Sequence, residues 1–360
     1  MKVEWKRPRK AKARARVDFV ARQQNRKPTS PSSQAQRETA RGAFRDRAAQ
    51  SARETVSGRW LVRAMLATVV AAGVALYLTI CLLFYQGQWQ FTFSPPKIAA
   101  NASQSAVASL AASSGLTIQD VQFDYTEEGV ARLDGWWIPA PDAGQTPAAQ
   151  ASAQTVVLLC HNGHTALPQN LNLLRALHGL GVSVFAFDYR GFGASQHIHP
   201  SQQKAYADGI AALDYLTGTR HVSADHIVVY GAELGSAVAA HAAQQSPQLA
   251  GLVLEDAQPS LVAQVKREQH LHLLPLWLVF QDRFDISRIV PALRMPKLFL
   301  VTANPFHPGY DAASTLSLYR AAAPPKQMLA ADSMQAPLYA QPQWKQAMQD
   351  FLKRALNRAD

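Results

Sequence analysis

The sequence predicts an α/β domain built on a mostly parallel, doubly wound sheet of about eight strands, preceded by one membrane-spanning helix and a basic tail. Three observations carry this. Short runs that are apolar throughout, VVLLC, VFAF, IVVY and LVLE, recur along the chain, as parallel strands covered on both faces require. Helical patterns alternate with them at the spacing of βαβ units. A 22-residue stretch without a charge, Ala64–Tyr85, stands ahead of them all.

The tail comes first in the chain. Residues 1–59 hold 17 Lys/Arg against 5 Asp/Glu, a net of +12 in a chain whose total is +11, so the other 301 residues sum to about −1. The high charge therefore belongs to the tail, and the folded domain is not expected to bind nucleic acid. Arg, Lys, Gln, Ser and Pro dominate the tail with no sustained apolar period, which predicts disorder. A short amphipathic helix fits Thr39–Thr55. Candidate partners for residues 1–59 are anionic lipid headgroups or an acidic molecule.

Ala64–Tyr85 would form a helix roughly 33 Å long at about 1.5 Å per residue, matching a bilayer core of about 30 Å. Arg59, Arg63 and Trp60 flank one end, and Tyr85 and Trp89 the other, as interfacial anchors do. The anchor is assigned to 60–86. Basic residues crowd its N-terminal side, while Gln86–Ala100 carries only Lys97, so the positive-inside rule places the N-terminus in the cytoplasm. The run ends in CLLFYQGQWQF with no small-residue cleavage site, which predicts an uncleaved signal anchor. The expected location is a bacterial inner (plasma) membrane, single-pass, with residues 87–360 periplasmic. The chain has two cysteines. With Cys81 in the helix, Cys160 is alone in the outer domain and has no partner there for a disulfide.

In the outer domain the predicted strands are Val121–Thr126, Arg132–Ile138, Thr155–Cys160, Val182–Phe187, His226–Tyr230, Leu252–Glu255, Lys297–Thr302 and Lys326–Leu329. The first two, separated by Glu127–Val130, read as an antiparallel edge hairpin. The predicted helices are Gln169–Gly179, Gln203–Thr217, Gly235–Gln245, Thr315–Ala322 and Pro342–Asn357. Residues 140–154 read as a loop.

The motifs VLLCHNGH, FAFDYRGFGAS, YADGIAALDYL, IVVYGAELGSAVA and LVLED together resemble the α/β-hydrolase superfamily, in its membrane-anchored serine-peptidase-like or esterase-like branch, whose anchor is also followed by an FxP-type segment (here FTFSPP, Phe91–Pro96). Asp188-Tyr189-Arg190-Gly191-Phe192-Gly193-Ala194-Ser195 is the most specific piece. The resemblance implies an α/β-hydrolase fold over about residues 86–357, with a cap insertion at about 257–295.

The resemblance also implies where a catalytic triad would lie. The nucleophile belongs in a G-x-S-x-G elbow between strand and helix. Here the elbow reads Gly231-Ala232-Glu233-Leu234-Gly235, so Glu233 stands at the nucleophile position. The acid position falls on Pro305, matched from its strand, or on His307, matched back from Leu318-Tyr319; the next carboxylate is Asp311. The histidine position falls on Gln335. The oxyanion loop reads His161-Asn162-Gly163-His164-Thr165, with Asn162 in place of the usual first glycine. With all three triad positions altered, ordinary serine-hydrolase chemistry is expected to be lost, since removing a nucleophile alone costs about 10⁶ in turnover. Leu234 and the loop residues remain pocket candidates.

Other residues read as structural. Ser236 packs against the sheet, Ser195 holds its loop, and Asp188 and Arg190 join in a network there. Gly191, Gly193, Gly231 and Gly235 shape turns. Cys160 is a small buried apolar residue. No His pair has metal-ligand spacing with an acidic partner, so no metal is expected, and no cofactor. LHLLPLWLVF (Leu271–Phe280) either covers the sheet edge as core, lines a lipid-sized pocket or presses on the bilayer. The expected function is binding, of a periplasmic protein partner or of a lipid- or ester-like ligand. The alternative is an ester hydrolase using Glu233 as nucleophile or base with a nearby histidine.

Overall fold

The computed structural model describes residues 38–45, 47, 57–96, 104–125, 131–141, 154–266, 273–302, 311–331 and 336–357. The chain divides into two compact units, Met1–Gly73 and Val74–Asp360. In the first, residues 38–45 are helical, overlapping the start of the predicted Thr39–Thr55 helix, most of whose remainder lies outside the described residues. Residues 1–37 of the basic tail lie outside the described residues. Helix α1 (Gly58–Gly87) extends the uncharged run by several residues at its N-terminal side. It is long and apolar enough to cross a bilayer. Leu66, Val70, Leu78 and Leu83 are among its exposed side chains.

The second unit contains an eight-stranded sheet of order β1-β2-β4-β3-β5-β6-β7-β8. Helix α2 (Gln104–Ser114) leads into β1 (Gln119–Tyr125) and β2 (Ala131–Ile138). These pair antiparallel, and β2 pairs antiparallel with β4 (Ser183–Asp188). Every other pairing is parallel, through β3 (Val156–Cys160), β5 (Ile227–Ala232), β6 (Gly251–Glu255), β7 (Lys297–Thr302) and β8 (Lys326–Ala331). This is the predicted doubly wound sheet, with the predicted hairpin at one edge.

The uniform apolar runs follow from two-sided burial. Along β3, Val156, Leu158 and Cys160 join one core while Val157 and Leu159 join the other. The first core packs against α4 (Gln202–Asp214) and α5 (Gly235–Gln245). The second takes Leu174 and Leu177 of α3 (Leu171–His178) and Trp344, Met348 and Phe351 of α7 (Pro342–Leu356). Period-2 alternation along a strand thus sends successive side chains to opposite layers.

The differences from expectation are local. Helix α2, rich in Ala and Ser, carries too weak an apolar period to be read. The helix predicted to Thr217 leaves α geometry at Asp214 and finishes in a π turn, Tyr215–Thr219. The helix predicted from Gln169 starts two residues earlier as a 3₁₀ turn, Leu167–Asn170, with Pro168 in its first turn, where a missing N–H is harmless. Helix α6 (Ala312–Ala321) begins earlier than predicted because Asp311 caps it, accepting from the Ala313 N–H at 3.0 Å. The 140–154 loop lies largely outside the described residues.

The cap region splits in role. Phe284, Ile286, Val290 and Leu293 join the core beneath α5, as a sheet cover would. Leu276, Val279 and Phe280 instead form a separate cluster with Cys81 and Phe84 of α1.

Candidate functional site

The elbow between β5 and α5 is present with its glycines placed by necessity. A Cβ on Gly235 would stand 2.1 Å from the Cys160 carbonyl oxygen, and one on Gly231 would stand 2.5 Å from the Gly235 carbonyl oxygen. Only glycine lets the helix approach β3 this closely. Glu233 occupies the tip at φ +49°, a left-handed conformation that costs a side-chain-bearing residue about 1–2 kcal/mol. Its N–H donates to the Glu255 carbonyl oxygen at 2.8 Å. Its side chain is half-buried at the mouth of the turn. Glu255 sits close by, its carboxyl accepting from the Tyr230 hydroxyl at 2.5 Å. Burial pushes the Glu255 carboxyl up to about 7, with Asp256 and then Glu233 adding to the shift.

The two hydroxyls near the elbow are committed elsewhere. Ser236 is fully buried and donates to the carbonyls of Gly231 (2.8 Å) and Glu255 (3.0 Å). Ser195, also buried, donates to the Asp188 carbonyl oxygen at 2.5 Å and accepts from the Asp134 N–H at 2.9 Å. Both hold structure, as expected. Cys160 is fully buried too, and burial lifts its thiol to about 12.

The oxyanion loop spends its amides internally. Asn162 Oδ1 accepts from the N–H groups of His164 (3.0 Å) and Thr165 (3.1 Å) and from the Thr165 hydroxyl (2.9 Å). The Gly163 N–H donates to His161 Nδ1 at 3.3 Å. An oxyanion hole draws one donor from this loop and one from the residue after the nucleophile. Asn162 in the glycine's place thus ties down two of the loop amides, and His161 a third.

His161 is itself fixed. It is 1% exposed, packed on the Tyr189 ring at 4.3 Å, with Nε2 3.6 Å from Asp188 Oδ1. Burial, then His164, push its imidazole down to about 3, so it stays neutral. Asp188 is raised well above the usual carboxylate range, by burial first and then by Asp134 across the β2–β4 pair. Its Oδ1 accepts from the Leu167 N–H at 3.0 Å. His164 is exposed.

Arg190 pairs with a residue that the motif reading did not single out. Arg190 Nε donates to Asp208 Oδ1 of α4 at 2.6 Å, and its backbone N–H to Asp208 Oδ2 at 2.9 Å. Asp208, in YADGIAALDYL, is the residue that motif reading missed; a lone carboxylate amid the small residues of a buried helix face was the available signal. Gly193 sits against the Asp188 carboxyl at φ +47°, where any Cβ would collide with Oδ2. Gly191, at φ +91°, makes the neighbouring turn. Together they aim Phe192 inward.

The segment after α1 closes over this loop. Phe93 is 1% exposed and meets Phe192 (6.1 Å) and Phe284 (5.8 Å) edge-on. The Ser94 N–H donates to the Gly163 carbonyl oxygen at 3.0 Å. Leu234 Cδ2 lies 2.6 Å from where a Gly163 Cβ would be. Apolar groups from the stem and the elbow thus pack against Gly163. Of the remaining candidates, Pro305, His307 and Gln335 lie outside the described residues. Asp311 spends its carboxylate on the α6 N-terminus and on the Ser314 hydroxyl (2.7 Å).

Residues 151–299 match the model of the serine aminopeptidase S33 family. Over 175 residues the chain is 36% identical to an uncharacterized protein of Mycobacterium tuberculosis (strain CDC 1551 / Oshkosh), covering 49% of this chain and 58% of that protein. It is 32% identical over 139 residues to the alpha/beta hydrolase domain-containing protein WAV2 of Arabidopsis thaliana, covering 38% and 42%. The chain therefore spans 58% and 42% of the lengths of these two relatives. An esterase structure from Pyrococcus furiosus superposes with a TM-score of 0.55 at 18% identity, covering 73% of this chain and 98% of that one. An alpha-beta hydrolase from Vibrio vulnificus gives 0.53 at 17%, covering 76% and 92%. At these identities the structural likeness is one of fold.

Proposed function

We propose that this chain, which belongs to the α/β-hydrolase superfamily, is a single-pass membrane protein whose outer domain binds a ligand or a partner instead of hydrolysing it. The observation that carries the reading is Glu233 at the elbow tip, where the superfamily places a hydroxyl, with the amides of Gly163, His164 and Thr165 in the oxyanion loop already donating. Loss of a nucleophile costs about 10⁶ in turnover, and loss of one oxyanion donor about 10²–10³. The ligand class is a small ester- or lipid-like molecule, or a periplasmic protein. The N-terminus lies in the cytoplasm and the domain in the periplasm, on the charge asymmetry around α1.

A second reading draws on the positive φ of Glu233. The tip keeps a strained conformation that exposes a side chain, which suits a carboxylate acting as nucleophile or base on ester-like substrates. His164 or His307 is then the partner imidazole, since His161 is buried with its Nδ1 engaged. Turnover of short- and long-chain p-nitrophenyl esters by the full chain in detergent separates the readings. The binding reading expects no turnover in wild type, Glu233→Ala or Glu233→Ser. Turnover that disappears in Glu233→Ala overturns it and makes Glu233 the reacting group.

A further inference from the structure

We propose that residues 273–280 of the cap are seated in the outer leaflet beside α1, with Leu273, Trp277 and Leu278 against lipid acyl chains. The inference rests on the reading of α1 as membrane-spanning. Two contacts fix the segment against the helix. The Tyr77 hydroxyl donates to the Leu273 carbonyl oxygen at 3.1 Å, and Gln281 Nε2 donates to the Tyr85 hydroxyl at 2.7 Å. Tyr77 to Tyr85 and Leu273 to Gln281 are the same eight-residue step, so the two run side by side in one direction. Phe84 and Phe280 meet between them, ring centroids 6.1 Å apart.

Depth follows from helix geometry. Tyr77 lies eight residues inside the end of the uncharged run, about 12 Å along the axis at about 1.5 Å per residue. The outer half of a bilayer core is about 15 Å deep. A segment held at Tyr77 therefore reaches hydrocarbon whenever α1 spans.

The composition fits that solvent. LLPLWLVF (Leu273–Phe280) has no charge. Its inner side packs Leu276, Val279 and Phe280 with Cys81, Phe84 and Val265. Its outer side leaves Leu273 84%, Trp277 70% and Leu278 63% exposed, an apolar patch continuous with the exposed face of α1. In sequence, charge returns at Arg267 and Glu268 before the segment and at Asp282 and Arg283 after it; Arg283, which is exposed, would stand among the headgroups.

A peptide group in hydrocarbon must be satisfied internally, and four N–H groups of the segment are. The N–H groups of Leu276, Leu278, Val279 and Phe280 donate to carbonyls of residues 274, 275, 275 and 276. Pro275 has no N–H to satisfy. The Leu273 carbonyl takes the Tyr77 hydroxyl, and the Trp277 carbonyl takes Arg283 Nη2 at 2.9 Å.

The test uses the full chain in phosphatidylcholine–phosphatidylglycerol vesicles carrying brominated acyl chains. The background is Cys81→Ala, with the deeply buried Cys160 retained. An environment-sensitive dye is placed on Leu278→Cys, on Leu76→Cys in α1, and on Gln346→Cys on the exposed side of α7. The expected result is blue-shifted emission and several-fold bromine quenching at 278, matching 76, with none at 346. Quenching at 76 but not at 278 overturns the inference and leaves the anchor standing. That holds equally if 278 instead self-quenches between labelled copies, which would make the patch a dimer interface. Absence of quenching at both 76 and 278 removes the anchor reading and the inference with it.

Discussion

Arg190→Met removes the guanidinium that fixes the loop beneath the candidate site. In the pair it breaks, Arg190 is 10% exposed and Asp208 not at all, so solvent screening offers little relief. Removing one partner of a buried pair costs about 3–5 kcal/mol, because the other charge stays buried. Here the backbone N–H of residue 190 still donates to Asp208 Oδ2, which argues for the lower end, about 3 kcal/mol at pH 7.5. For a folded domain of this size that is a fall in Tm of roughly 6–12 °C. The deficit also depends on pH. Burial lifts the Asp208 carboxyl from 3.8 to about 6, and Arg190 is the main group pulling it back down. Without Arg190 it rises further. A carboxyl raised in the folded state contributes stability that is present below its unfolded pKa and lost as pH rises through its folded one. At pH 5 Asp208 is largely protonated in both proteins, so the deficit shrinks there. Thermal unfolding of the full chain in detergent, followed by near-UV circular dichroism at pH 7.5 and 5.0, measures both effects. A Tm loss under about 2 °C at pH 7.5, or a deficit unchanged at pH 5.0, would refute the argument.

Three further expectations follow from the same geometry. Ser195→Ala strands the Asp188 carbonyl and the Asp134 N–H in the core, costing about 2 kcal/mol or more in urea unfolding, while Ser287→Ala on the surface should change stability by less than about 0.5 kcal/mol. Gly235→Ala sets a methyl 2.1 Å from the Cys160 carbonyl oxygen, so it should yield little folded protein on size exclusion, whereas Gln346→Ala should elute as wild type. Burial lifts both Asp134 and Glu255 to about 7, so each contributes stability at low pH that is lost as pH rises through about 7, at up to about 1.4 kcal/mol per pH unit. His161, lowered to about 3, acts in the opposite sense below 6.5. Two carboxyls outweigh one imidazole, so Tm should be higher at pH 5.5 than at pH 8, and a steady rise in Tm between them would contradict the assignment.

Much of this was legible because it is set by local pattern. VVLLC and IVVY read as strands because they are short, rich in β-branched residues and bounded by turn signals. The Gly-x-x-x-Gly spacing around Glu233 forecast the tight turn, because its glycines are demanded by contact with β3. What escaped was set by contacts distant in sequence. Nothing near Phe93 says that it will meet Phe192 and Phe284, about 100 and 190 residues on. Asp208 gains its partner only when α4 docks beside the end of β4. The split of the cap is of the same kind: LHLLPLWLVF is uniformly apolar, so only its neighbours decide that Leu276 and Phe280 turn toward α1 while Trp277 and Leu278 turn away.

The elbow itself bears on function less than its conspicuous motif suggests. Gly231 and Gly235 are required for α5 to lie against β3, whatever stands at position 233, so the turn persists as a matter of packing. Chemistry asks for three things that packing does not: a nucleophilic side chain at the tip, a mobile base beside it, and amide donors left open for a developing charge. At the tip stands a carboxylate with a raised Glu255 near it. The buried imidazole packs on Tyr189 and accepts the Gly163 N–H, while its Nε2 makes no hydrogen bond. The loop donors are taken by Asn162 Oδ1 and His161 Nδ1, and Phe93 and Leu234 lie against Gly163. The retained features are those the fold needs, and the altered ones are those that only hydrolysis needs. On the binding reading proposed above, that division is what the scaffold would display, and Glu233 is the substitution that tests it.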